Sequence, residues 1–131
     1  MLSNLTELEV VRAWHDALNE RDLDRLLELS DEDVEVIGPR GAGRGRELLS
    51  DWAFRAGVSL SFGRMFHRGD RIVVEEFAQW RSSETGDVVG TANVASVFEV
   101  RGGKITRVHR FDDLDSALND AELDVMDEVT A

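Results

Sequence analysis

Apolar positions recur every three or four residues near the N-terminus and every second residue beyond position 57, which divides the chain into helices followed by strands. From Leu5 to Glu20, the residues Leu8, Val11, Trp14, His15 and Leu18 share one helical face, and Thr6 with Glu9 has the spacing of a capping box. Asp22 caps a second, short helix with the stripe Leu23, Leu26 and Leu27, and the β-branched run Val34 to Ile37 predicts a short strand. A third helix starts near Arg46, buries Leu48, Leu49, Trp52, Ala53 and Ala56, and stops at Gly57. Strands are predicted from Val58 to His67, Arg71 to Trp80, Val88 to Val100 and Lys104 to Asp112, with turns at Arg68 to Asp70, Ser82 to Asp87 and Arg101 to Gly103. Helical spacing returns at Leu114, Ala117, Leu118 and Ala121, giving a terminal helix or extended arm over 114–125. Helices followed by an antiparallel meander make an α+β fold. No repeat or linker interrupts the chain, so residues 1–131 are expected to form one domain with its core over about 5–118.

Alternation along the strands identifies the buried face. In the third meander strand the even positions Val88, Gly90, Ala92, Val94, Ser96, Phe98 and Val100 are apolar or small, so the even face is the core face. A three-residue loop at Arg101 to Gly103 would set Ser96 opposite Val108 and Val94 opposite Arg110, turning Arg110 and Asp112 inward. A two-residue turn at Gly102 and Gly103 would shift the last strand by one and turn His109 and Phe111 inward instead. The preceding strands place Glu76 among Ile72, Val74, Ala78 and Trp80, and Arg64 among Val58, Leu60, Phe62 and Phe66. Four charges on an otherwise apolar face, Arg64, Glu76, Arg110 and Asp112, must be paired or line a wet cavity. With strands about 4.8 Å apart, Glu76 and Arg110 lie roughly 10 Å apart at the backbone, within reach of their side chains. The pattern therefore predicts either a self-satisfied Glu76–Arg110 ion pair or a polar-floored pocket. Trp14, His15, Leu18, Trp52 and Phe62 would wall such a pocket, with Arg64, Val74, Val94, Ser96 and Val108 on its sheet side.

Composition narrows the function classes. The 15 basic and 27 acidic residues give a net charge of −12, which opposes binding to a nucleic-acid backbone. Apolar runs such as Trp52 to Phe54 and Ile72 to Val74 stop at three residues, far below the roughly 20 of a membrane helix, so no membrane association is expected. No secretory signal is visible and there is no Cys, which makes the cytoplasm the expected compartment. Eight of the acids lie between Asp112 and the C-terminus with no base among them, the pattern of a solvated face or frayed end, and the tail over 112–131 is assigned no partner. His15, His67 and His109 lack metal-site spacing, so neither a metal nor another cofactor is expected. His15 reads as a packed core histidine that a small helix rotation would bring into the pocket as an acid/base group. The stretch Gly41 to Arg46 lacks phosphate-loop fingerprints and reads as a mobile loop beside the pocket mouth.

Three segments carry a resemblance: Trp14-His15-Asp16-Ala17-Leu18-Asn19-Glu20-Arg21-Asp22-Leu23-Asp24, then Gly45-Arg46-Glu47, then Phe98 to Ile105 leading into Arg110-Phe111-Asp112. In these the chain resembles the SnoaL-like, nuclear-transport-factor-2-like superfamily of ketosteroid isomerases, limonene epoxide hydrolases and polyketide cyclases. The resemblance implies a cystatin-like, cone-shaped curved antiparallel sheet wrapped around N-terminal helices, with a deep pocket and a homodimer formed through the outer sheet face. It does not carry the catalytic sets across. The isomerase Tyr and two Asp fall on Trp14, Gly38 and Ser96, and the hydrolase Arg and two Asp fall on Glu76, Ala78 and Arg110.

Three functions remain in view. In the first, a cofactor-independent enzyme acts on a small apolar substrate, with Glu76 as base, Arg110 stabilising negative charge and Asp112 orienting Arg110 or a water. In the second, a non-catalytic module binds an acidic ligand through Arg110 and Arg64. In the third, Val73, Phe77, Val89 and Val97 on the odd face make a dimeric interaction scaffold.

Overall fold

The computed structural model describes residues 6–38, 41–55, 57–82 and 84–129. Leu5 as a helix start and Ala56 as a buried residue of the third helix lie outside them. The order is α1 (Glu7–Asn19), α2 (Leu23–Glu28), β1 (Ser30–Gly38), β2 (Gly41–Arg44), α3 (Arg46–Arg55), β3 (Val58–Arg68), β4 (Arg71–Arg81), β5 (Val88–Arg101), β6 (Lys104–Phe111) and α4 (Leu114–Ala121), followed by a 3-10 turn (Val125–Asp127) and β7 (Glu128–Val129). The capping box on Thr6 and Glu9 opens α1, and Asp22 and Asp113 cap α2 and α4. Gly41 to Arg44 is not a loop but a strand, hydrogen-bonded to β1.

Seven strands form one curved, unclosed sheet in the order β2-β1-β6-β5-β4-β3-β7. The meander is antiparallel as expected, but β1 pairs with β6 in parallel and carries its partner beyond the predicted Val34 to Ile37. The inner face packs on α1, α2 and α3 through Val11, Trp14, Leu18, Leu26, Leu49 and Ala53. Leu48, expected inside, is 39% exposed because it covers Gly43 of β2 at the rim. Among the described residues no helix is long and apolar enough to cross a membrane.

Two irregularities set which side chains face inward. At the β5–β6 connection Gly102 and Gly103 both have positive φ, +60° and +77°, and form the two-residue turn that pairs Arg101 with Lys104. Alone, that turn would have rotated Arg110 outward. A bulge follows between Val100↔Ile105 and Glu99↔Arg107, with Thr106 as the extra residue, and the second one-residue shift restores the parity. Ser96 is therefore opposite Arg110, not Val108, and Arg110 still faces inward.

The other bulge lies in β3, where register passes from Phe62↔Glu76 to Met65↔Val74. Gly63 sits there because a Cβ would stand 2.7 Å from the Glu75 carbonyl oxygen. Parity inverts across it: Leu60 and Met65 are inside, whereas Phe66 packs on the outer face.

The acidic C-terminal segment is folded, not frayed. Helix α4 lays Ala117, Leu118 and Ala121 over Phe66, Val73, Ala95 and Val97 in a second hydrophobic cluster. Val73 and Val97 are thereby buried within the chain, so of the proposed dimer face only Phe77 (42% exposed) and Val89 (68%) remain at the surface. After the 3-10 turn, β7 pairs with Met65 and Phe66 at the sheet edge. Four acids of the C-terminal segment meet arginines: Asp120 with Arg107, Glu122 with Arg71, Asp127 with Arg68 and Glu128 with Arg64.

Candidate functional site

The densest polar chemistry in the interior joins α1 to the sheet. His15 points from the third turn of α1 to the centre of the inner face, where Glu76 stands between Phe62 and Val94 on neighbouring strands. Its Nε2 lies 2.5 Å from Glu76 Oε2, and Ser96 Oγ donates to Glu76 Oε1 at 2.7 Å. On the other side of the ring, Nδ1 lies 2.8 Å from the Val11 carbonyl oxygen, one helical turn back. A carbonyl oxygen only accepts, so Nδ1 carries a hydrogen and a single proton is shared between Nε2 and Oε2. The three side chains are 0%, 1% and 2% exposed. Phe62, Phe98 and Trp14 enclose the imidazole with ring centres 4.3, 5.2 and 5.5 Å away. A short, charge-assisted bond in such dry surroundings is strong, and removing either partner would strand a buried polar group.

Glu76 is thus paired with His15, and the Glu76–Arg110 ion pair, one of the two arrangements the pattern allowed, does not form. Arg110 lies with its guanidinium carbon 5.5 Å from the centre of the Trp80 ring. Its Nε is buried and has no hydrogen-bond partner. Arg64, expected on the same face, is turned outward by the β3 bulge and makes a bidentate pair with Glu128 at 2.9 and 3.0 Å. Asp112 follows the end of β6 and is exposed, so it neither orients Arg110 nor faces the interior.

The apolar residues expected around the pocket are inside. Trp14, Leu18, Val74, Val94 and Val108 are buried in the core, and Trp52 and Phe62 are half-buried at its margin. Trp52 stacks on Trp14 with ring centres 6.4 Å apart, and Trp14 Nε1 donates to Ser30 Oγ. Small residues, Ala78, Gly90 and Ala92, follow one another on the inner face towards Trp80. An open groove of about 530 Å3, whose lining includes neither Glu76 nor Arg110, runs between α1, the β3 bulge and β7 along Leu8, Arg12, Gly63, Arg64, Met65, Glu128 and Val129.

The sequence places His15 and Glu76 on facing apolar surfaces of two packed layers, and that was the available signal for their bond: two ionisable groups buried opposite each other must meet. Outside the pair, burial beneath α4 holds the His109 imidazole below its ordinary value, against the pull of Asp120 3.9 Å away. Among the described residues no cluster of His, Asp and Glu is arranged to hold a metal.

A profile of the SnoaL-like domain matches residues 11–108. No curated protein matches the chain in sequence. Among solved structures, an NTF2-like protein of unknown function from Cytophaga hutchinsonii superposes with a TM-score of 0.75 at 19% identity, covering 86% of this chain and 95% of its own. A protein with a ketosteroid isomerase-like fold from Catenulispora acidiphila, crystallised with trimethylamine, gives 0.69 at 23% identity over 91% of this chain and 96% of its own. TerC, co-crystallised with polyporic acid, gives 0.69 at 22% over 88% and 96%. At these identities the likeness is one of fold. With residues 11–108 inside that profile, the chain belongs to the SnoaL-like domain family.

Proposed function

We propose that the chain is a small-molecule pocket protein of cofactor-independent acid/base type, acting as one domain, with Glu76 as the group that takes up or returns a proton. The observation that supports this is the buried chain Ser96–Glu76–His15–Val11, which fixes one carboxylate from both oxygens in an apolar interior. Each carboxylate oxygen has two lone pairs and uses one, so an acceptor position remains on Glu76. His15 holds the carboxylate in place and can take the shared proton as Glu76 accepts another. Arg110, on the same face, would stabilise negative charge developing on the substrate.

The test needs no known substrate. The full chain would be incubated in D2O with a panel of ketones and 1,3-dicarbonyl compounds, and exchange at the activated carbon followed by proton NMR. Wild type should accelerate exchange for at least one compound, and Glu76→Gln should reduce the rate by roughly 10²–10⁴-fold, the usual contribution of a general base. Retained exchange in that variant would remove the assignment.

A second reading, a non-catalytic binder, draws on the same geometry: both carboxylate oxygens and both ring nitrogens are already engaged. In that case wild type exchanges nothing, while ligand affinity survives Glu76→Gln. The exposed Phe77 and Val89 leave a small outer-face surface on which a homodimer would rest.

A further inference from the structure

We propose that the ligand of the inner face is a monoanion with an apolar body, its carboxylate or enolate received by Arg110. The inference rests on the pocket reading above and names the chemical class it leaves open. The charge of the chain and the surroundings of Arg110 do not match. Acids outnumber bases by 27 to 15, and every Asp and Glu lies among the described residues. Arg64, Arg68, Arg71, Arg101 and Arg107 each lie within 4.0 Å of a carboxylate. Among the described residues Arg12, Arg25, Arg46, Arg81 and Arg110 have no carboxylate that close, and of these Arg110 alone keeps a buried side-chain polar atom, its Nε, without a partner.

A buried donor left without a partner is costly to keep. The group is nevertheless held in a defined place. Strand pairing with Ser96 turns it inward, and Trp80 lies against its guanidinium. Being half-buried, it stays within reach of a ligand while its attraction for an anion is less screened than at the surface. A planar guanidinium matches a carboxylate or enolate through in-plane N–H donors. Val108 and Val94, two residues along the strands from Arg110 and from its partner Ser96 on the same face, and Trp80 against the guanidinium suit an apolar body.

The charge count limits the ligand to one negative charge. On the inner sheet face the His15–Glu76 unit is neutral as a whole wherever its shared proton sits, which among the described residues leaves Arg110 as the charge beside it with no ion pair. A dianion would bring a second negative charge with no partner into an apolar site.

Isothermal titration calorimetry on the full chain with 2-naphthoate, 2-naphthamide and 2-naphthyl phosphate tests this. 2-Naphthoate should bind at least tenfold more tightly than the isosteric amide and than the phosphate. Arg110→Met should weaken 2-naphthoate by roughly tenfold to a hundredfold, as for loss of a charge-assisted bond, without lowering the melting temperature. Equal affinity for acid and amide in wild type overturns the monoanion and leaves the pocket reading standing; that comparison needs no variant to fold. Tighter binding of the phosphate overturns the single charge, and unchanged 2-naphthoate affinity in Arg110→Met overturns the role of Arg110. Failure of all three probes to bind wild type would remove the pocket reading together with the inference.

Discussion

Replacing His15 and Glu76 singly and together should reveal a pair that is coupled strongly but adds little net stability. Both side chains are fully buried and joined at 2.5 Å, so breaking the bond leaves a buried group that water cannot reach. Glu76→Leu leaves His15 Nε2 and the Ser96 hydroxyl unpartnered, and His15→Leu leaves Glu76 with Ser96 alone. Each single replacement should cost about 3–5 kcal/mol, the range for one partner of a buried pair. The double variant strands only the Ser96 hydroxyl, at about 1–3 kcal/mol, and buries two leucines that offset part of this. It should therefore be more stable than either single variant, with a coupling of about 3 kcal/mol or more.

Glu76→Gln is the informative control. Because Nδ1 of His15 donates to the Val11 carbonyl, Nε2 can accept a bond from the new amide, whose oxygen still accepts from Ser96. All three bonds survive without a charge, and stability should stay within about 1 kcal/mol of wild type. Urea unfolding followed by tryptophan fluorescence reads the series, since Trp14 lies 5.5 Å from the His15 ring. If the double variant loses the sum of the single losses to within about 0.5 kcal/mol, the two side chains are energetically independent and no buried coupling joins them.

Two other predictions concern the outer face and the β3 bulge. Hydrogen bonds from Arg68 and Arg64 hold the carboxyls of Asp127 and Glu128 below their ordinary values of 3.8 and 4.5. Their contribution is thus present above those values and fades as pH falls through the depressed ones. Protection factors over 122–129, corrected for the intrinsic exchange rate, should fall as pH drops below the ordinary carboxylate range and before the core opens, and 1 M salt at neutral pH should act in the same direction because these pairs are exposed; undiminished protection once both carboxyls are protonated would refute the role of the ion pairs. Gly63→Ala should destabilise by about 1–3 kcal/mol in a urea melt, because its Cβ meets a backbone carbonyl that cannot step aside; a neutral result would mean that the bulge is elastic.

Elements whose determinants are local were legible in the sequence. The capping box of Thr6 and Glu9, the stripe of α1 and the even face of β4 and β5 follow from spacing alone, and they place His15, Glu76 and Ser96 inside. Register was less accessible, since a strand pattern shows which residues share a face but not where an extra residue is inserted. Arg110 kept its inward orientation only because the turn at Gly102-Gly103 and the bulge at Thr106 cancel. Arg64 did not, since one bulge at Gly63 has no counterpart to restore its parity. The partner of Glu76 was hidden for another reason: strand arithmetic compares neighbours within the sheet, and His15 comes from the helical layer above it.

The acidic tail shows why charge must be judged by location. Between Asp112 and the C-terminus the chain carries eight acids and no base, which in isolation describes a segment that repels itself and stays solvated. Its complement lies elsewhere in the sequence, on strands that present Arg64, Arg68, Arg71 and Arg107 to it. Asp113 and Asp124 are also used, as caps of α4 and of the 3-10 turn. The tail folds because α4 has an apolar stripe to lay on the outer sheet face, and the ion pairs then fix its path instead of driving it there. The same chain that brings an acid to each of these four arginines leaves Arg110 without one. Its buried, unpartnered Nε on the inner face therefore reflects where the acids fold and not a shortage of carboxylates, and that is the ground on which an anion site is proposed there.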